Sequence, residues 1–141
     1  MPGWVNIDIS PEVNPDHILD LLTFPWSIEK FEGTSINRTI PNGVVDEIYC
    51  SHFLEHIGDE IIPFMDEAWR VLIPGGLFRI RSPYYTSIRA VQDPTHKRFI
   101  SEAMFQYFNA EGRKKMGVDH YPIKSDFDVE EMRFQIGRAH V

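Results

Sequence analysis

The sequence predicts an α/β domain with a mainly parallel sheet, and three consecutive segments carry that reading. The run VVDEIYCS at 44–51 is short, β-branched and apolar enough for a strand. Beyond it, Ile61, Met65, Ala68, Trp69 and Leu72 recur at helical spacing as one apolar stripe. The run LFRIRS at 77–82 then reads as a second strand, after Pro74-Gly75-Gly76. Strand, helix, glycine turn and strand make a βαβ unit, which implies parallel strands joined by a right-handed crossover.

The remaining elements follow in order. The segment 4–9, WVNIDI, reads as a strand, ended by Ser10 as a cap and Pro11 in the first turned position. A short strand is predicted at 17–21. The stretch holding Pro25, Gly33, Pro41, Asn42 and Gly43 reads as loop with at most a helical turn. Asp59 and Glu60 suit the start of the helix, and Pro63 is tolerated there because the first turn needs few backbone donors. Pro74 and the glycines are expected to stop it, and Trp69 on the stripe is expected in the core. Ser101 caps a short helix carrying Met104, Phe105 and Phe108, and 127–134 reads as a further strand. The aromatic group Phe99, Phe105, Tyr107 and Phe108 is read as packing against the sheet in preference to stacking a ligand ring.

At 141 residues the chain suits one domain, and its 43% hydrophobic and 25% charged residues are ordinary for a globular protein. A formal net charge of -7 leaves no electrostatic footprint for nucleic acid or an anionic membrane. The one basic run, Arg113-Lys114-Lys115, reads as a solvated face. Cys50 is the single cysteine, so no intrachain disulfide forms and a reducing compartment fits. No apolar run nears the roughly 20 residues that span a bilayer. Without a basic and apolar leader at the start, the expected location is the cytoplasm.

In open parallel sheets, ligands bind beyond the carboxyl ends of the strands. The candidate site residues are therefore Asp8, Asp20, Ser51 and His52, and the segment 82–85. A carboxylate there can accept two hydrogen bonds from a ribose diol, and a second can accept from an adenine amino group. An Asp before a turn is also a common acceptor for local backbone, so each acid alone is a weak signal.

The order of the pieces GWVNIDISP, ILDLLTFPW, VVDEIYCSHFLEHI and EAWRVLIPGGLFRIRSP resembles a class I S-adenosylmethionine-dependent methyltransferase with a Rossmann-like sheet and helices on both faces. The DPTHKR segment at 93–98 and FQYF at 105–108 resemble the small bacterial and phage branch. The resemblance implies S-adenosylmethionine as cofactor, with Asp8 and Ile9 at its ribose and Asp20 and Leu21 near the adenine. It places Ser51 and His52 beside the methionine part. It puts His56, Tyr84, Tyr85 and His96 on the acceptor side, with His52, His56 or His96 available as a base.

The same resemblance implies that the first strand with its glycine-rich turn, and one or more last strands, are missing from a domain over 1–135. Residues 136–141, IGRAHV, resemble a translated sequencing adapter and are expected to be a non-native tail. The expected partner is an unidentified methyl acceptor, with a small molecule favoured and nucleic acid disfavoured by the acidic charge. No membrane and no metal ion are expected, and sequence leaves the oligomeric state open.

Three other readings compete. His52-Phe53-Leu54-Glu55-His56 matches the H-x-x-E-H pattern of zinc hydrolases, but it follows a strand directly and lacks a marked third ligand. A dinucleotide oxidoreductase shares the sheet and the ribose acid but would need its own glycine-rich turn. A non-catalytic fragment acting as an interaction module is the remaining alternative, since a piece of the domain would be weak or inactive as an enzyme.

Overall fold

The computed structural model describes residues 3–28 and 38–135. The expected tail at 136–141 lies outside them, as does Gly33 of the long loop. At the centre stands the βαβ unit: strand β5 (Val45–Ser51), helix α1 (Ile61–Val71) and strand β6 (Leu72–Arg81), with β5 and β6 parallel. Before it come two short pairs. Strands β1 (Ile7–Asp8) and β2 (His17–Ile18) are parallel, and β3 (Ser27–Ile28) and β4 (Arg38–Thr39) antiparallel. After it come α2 (Ile88–Val91), a 3-10 helix (Glu102–Phe108) and α3 (Ala110–Met116).

The predicted first strand shortens to β1, and Ser10 and Pro11 behave as expected. The Ser10 hydroxyl accepts from Glu12 N, and Pro11 opens a 3-10 turn (Pro11–Val13). The predicted loop contains β3 and β4. Their chain is held to α1 by Arg70, which donates to the Ile40 carbonyl at 2.7 Å.

Helix α1 begins where expected, with Pro63 at its third position, where no intrahelical donor is required. It ends at Val71, earlier than Pro74. Leu72 turns extended (φ −71°, ψ 141°) and pairs with Val45, so helix passes to strand without a loop. The Pro74-Gly75-Gly76 segment becomes an irregularity inside β6, between the pairs Val45↔Leu72 and Glu47↔Leu77. Gly76 is needed there, because a Cβ would lie 2.9 Å from the Ile73 carbonyl oxygen and 3.1 Å from that of Asp46.

The buried face of α1 is Ile61, Phe64, Met65, Ala68 and Val71, which meet Trp26, Cys50, Leu54, Ile57, Ile100 and Phe108 in one core. Phe64 is central, with ring centroids 5.6 Å from Trp26, 5.3 Å from Phe53 and 6.3 Å from Phe78. Trp69, expected in this core, is 43% exposed. The true stripe is rotated toward Phe64, which leaves Trp69 on its outer edge.

In β5 and β6, Ile48, Cys50, Phe78 and Ile80 face the core. On the opposite face, Tyr49 and Leu77 are exposed and Arg79 pairs with Glu47. Helices on both faces were expected. Among the described residues only one face of this pair is covered by a helix.

The strand expected at 127–134 does not form. Phe127 is tied by its N–H to the Phe108 carbonyl at 2.8 Å, and residues 128–135 are exposed with no ladder partner among the described residues, Arg81 of β6 reaching Gln135 only through its side chain at 3.1 Å. The basic run is also not a simple solvated face. Arg113 is buried and donates to the carbonyls of Tyr107 and Ser125, both at 2.9 Å, while Lys114 and Lys115 are exposed. Phe108 of the aromatic group is buried, Met104 and Phe105 pack against the core, and Phe99 is 63% exposed. No helix among the described residues is long and apolar enough to cross a membrane.

Candidate functional site

Asp8, Asp20, Ser51 and His52 lie at or just beyond the carboxyl ends of β1, β2 and β5, whereas His56 and His96 lie in the segments that follow β5 and α2. Asp8 closes β1, and its Oδ1 accepts from Ser10 N at 2.8 Å. Among the described residues no hydrogen bond reaches its Oδ2. A groove beside this strand is lined by residues 4–8 including Asp8, by Val13, Asn14 and Pro15, and by Tyr49 of β5. Ile9 follows Asp8 and is 63% exposed.

Asp20 lies two residues beyond β2, and both of its oxygens are occupied. Oδ1 accepts from Leu22 N at 2.9 Å and Oδ2 from the Thr23 hydroxyl at 3.1 Å. The local turn role is therefore filled at both acids, but only Asp8 keeps an oxygen without such a partner. Leu21 is half-buried, and its carbonyl accepts from the Trp26 indole at 2.9 Å.

At the end of β5, Ser51 is exposed, and the chain turns through His52, whose φ of 53° is left-handed. His52 still donates its N–H to the Arg81 carbonyl at 2.8 Å, which prolongs the ladder by one residue. The 3-10 turn Leu54–His56 follows, with Leu54 and Glu55 buried and His56 partly open.

Two sequence segments some forty residues apart close into one unit at this turn. The Glu55 carbonyl accepts from Lys97 N at 2.8 Å and Arg98 N at 3.2 Å. The Arg98 guanidinium donates to the Gly58 carbonyl at 2.9 Å. His56 Nδ1 lies 3.2 Å from the Thr95 hydroxyl, which donates to Asp93 Oδ1 at 2.7 Å. His96 Nδ1 donates to the Ala90 carbonyl at 2.9 Å, and the rings of His56 and His96 meet edge to face with centroids 4.8 Å apart. Hydrogen bonds from the Thr95 hydroxyl and backbone hold the Asp93 carboxyl below the usual range, with smaller help from His96 and His56.

Tyr84 and Tyr85 come after β6, beyond Ser82 and Pro83, with ring centroids 4.7 Å apart. Tyr84 forms an isolated parallel bridge with Ile100, and Tyr85 N donates to the Ile100 carbonyl at 3.0 Å. A hydrogen bond with Glu102 pushes the Tyr84 phenol well above its ordinary value and lowers the Glu102 carboxyl in turn. The structure thus brings together His52, Glu55, His56 and His96 in one cluster, and Tyr84, Tyr85 and Glu102 in another.

Sequence reasoning missed the supporting residues Asp93, Thr95, Arg98 and Glu102. The Asp-Pro-Thr triplet did carry a signal, since Asp before a turn commonly accepts from the backbone two residues on, and Asp93 does so from Thr95 N at 2.8 Å. Glu102 carried none, because its pairing with Tyr84 depends on how 84 and 100 align.

No curated protein and no solved structure matches the chain. The methyltransferase domain family matches residues 4–80, more than half of the 141 residues, and that span contains β1, β2, β5, α1 and most of β6. Its members take their methyl group from S-adenosylmethionine. The chain belongs to this family of class I, S-adenosylmethionine-dependent methyltransferase domains.

Proposed function

We propose that the protein transfers a methyl group from S-adenosylmethionine to a small-molecule acceptor, with the donor held at the ends of β1, β2 and β5. The observation that carries this reading is Asp8. It stands at the carboxyl end of a parallel strand, beside a groove, with one oxygen fixing its turn and the other available to a ligand. This donor set fits a ribose diol, to which a carboxylate offers acceptors. In this reading Asp8 and Ile9 hold the ribose, Asp20 and Leu21 lie near the adenine, and Ser51 and His52 flank the methionine part.

S-adenosylmethionine, when bound, supplies a methyl group already activated on a sulfonium. The residues of this chain then have to hold the acceptor in line, exclude water and take a proton where the acceptor carries one. Tyr84 and Tyr85 present aromatic surface for the acceptor. His56 and His96 engage Nδ1 with Thr95 and with the Ala90 carbonyl, so Nε2 carries the lone pair in the neutral ring, and His96 Nε2 lies 3.5 Å from Asp93 Oδ2. Either nitrogen, or the exposed His52, can take that proton.

Calorimetric titration of S-adenosylmethionine into the protein and its Asp8→Ala variant tests the donor site. Loss of charged hydrogen bonds of about 1.5–3 kcal/mol predicts roughly 10- to 100-fold weaker binding in the variant. Equal affinity in the two proteins removes Asp8 from the site. If neither protein binds the donor or labels any acceptor with a radioactive methyl group, the interaction-module reading replaces this one.

A further inference from the structure

The Glu55 cluster holds a feature that methyl transfer does not explain. Glu55 is only 2% exposed, and its Oε2 has no hydrogen-bond partner among the described residues. A buried carboxylate oxygen without a partner is costly and calls for an unseen group. Its Oε1 lies 3.7 Å from His52 Nδ1 and 4.0 Å from His56 Nε2. Both separations are too long for hydrogen bonds.

One donor atom each from Glu55, His56 and His96 lies within 4.8 Å of the others. Ligands sharing a zinc ion at bond lengths of about 2.0–2.1 Å stand roughly 3.4 Å apart in a tetrahedron. Closing the observed spacing needs shifts on the order of an ångström, within reach of a partly open side chain such as His56.

We propose that Glu55, His56 and His96 bind a divalent transition-metal ion. Two imidazoles and one carboxylate suit such ions, and three protein ligands leave a coordination position open. The surrounding hydrogen bonds favour it. His56 Nδ1–H donates to Thr95, backed by Asp93, and His96 Nδ1–H donates to the Ala90 carbonyl. These contacts orient both rings through Nδ1, as outer-shell partners of metal-ligating histidines do, and turn Nε2 toward the acids, 4.0 Å from Glu55 Oε1 for His56 and 3.5 Å from Asp93 Oδ2 for His96.

The set differs from the H-x-x-E-H reading of the sequence. His52 and His56 do not share a helix face, since His52 is left-handed and Leu54–His56 is a 3-10 turn. His96, from the distant segment, supplies the third ligand, and Glu55 is itself a ligand and not a base. A bound ion takes the lone pairs of His56 and His96, which leaves proton abstraction to His52. The site depends only on its own donor atoms and holds even if the chain transfers no methyl group.

The test is titration of the chelator-treated full chain with Zn2+ by calorimetry and with Co2+ by visible absorption. One ion per chain is expected, and Zn2+ should raise the thermal midpoint. His96→Ala and His56→Gln should each weaken binding at least ~10-fold, and Thr95→Val, which removes an outer-shell contact, by about 10-fold. His120→Ala should leave it unchanged. His56→Gln keeps the comparison decisive if His96→Ala misfolds, because the His56 side chain is 38% exposed. Absence of saturable binding, or equal affinity in wild type and a folded His56→Gln protein, overturns the proposal.

Discussion

Arg70 grips the Glu67 carboxylate with two hydrogen bonds, Nη2 to Oε1 at 2.6 Å and Nε to Oε2 at 2.8 Å. Glu67 Oε1 also accepts from Trp26 N at 2.7 Å. A pair one turn apart on α1 thereby anchors the chain before β3 and, through the Ile40 carbonyl, the chain after β4. Burial pushes the Glu67 carboxyl up, but the hydrogen bonds from Arg70 and Trp26 N–H outweigh it and hold the group below its ordinary value.

The sign of the pH effect follows. A depressed carboxyl binds fewer protons in the folded than in the unfolded chain, so its stabilisation is present above the unfolded value of about 4.3 and lost as pH falls through the folded one. Glu67→Gln should cost about 1.5–3 kcal/mol at neutral pH and flatten the acid side of the stability profile. Urea denaturation from pH 7 down to pH 3 measures both. An unchanged acid limb in the variant assigns the loss to other carboxyls.

Phe64 and Trp69 lie on opposite sides of the α1 stripe and should respond differently to truncation. Phe64 is 2% exposed and touches three other aromatic rings, so Phe64→Ala should cost about 3–5 kcal/mol. Trp69→Ala, on the solvent side, should cost less than about 1 kcal/mol. Comparable losses by urea denaturation would place Trp69 in the core after all.

Ser125 is fully buried, and its hydroxyl has no partner among the described residues. Its backbone N–H and carbonyl are both engaged, with Asp66 and Arg113. Ser125→Ala removes an unsatisfied group without touching those bonds and should stabilise the fold by up to about 1 kcal/mol. A lower midpoint in thermal denaturation would mean that an ordered water satisfies the hydroxyl.

Cys50 is shielded chemically as well as sterically. Burial, with a smaller contribution from the Glu55 charge, pushes its thiol up to about 12. At pH 8 almost none of it is then thiolate, the form that reacts. Iodoacetamide should label it only along the unfolding transition. Fast labelling of native protein at pH 8 would show that the β5 side of the core opens readily.

How much of this was legible depends on where the information lay. The βαβ unit could be read from residues 44–82 because each element carries its own period and its own stop signal. The bounds slipped where tertiary pairing overrode local chemistry, as at Leu72, which β5 draws into a strand before Pro74 is reached. The stretch 127–134 has strand-like residues but no ladder partner among the described residues, and composition alone does not reveal that. Asp8, His52, His56 and His96 were visible as residue types at strand ends or in distinctive segments. That Thr95 and Asp93 would orient His56 depends on a fold-back across some forty residues, which no local pattern records.

The left-handed backbone at His52 has a consequence for engineering. Histidine visits this region more readily than most side chains, but glycine or asparagine holds it at lower cost. Selection for heat resistance alone should therefore favour replacing His52. The same exchange removes an imidazole next to Ser51 and Glu55. A directed-evolution campaign that scores only robustness would tend to erase chemistry at this position, so a library should keep codon 52 fixed and seek its gains at distant places such as Ser125.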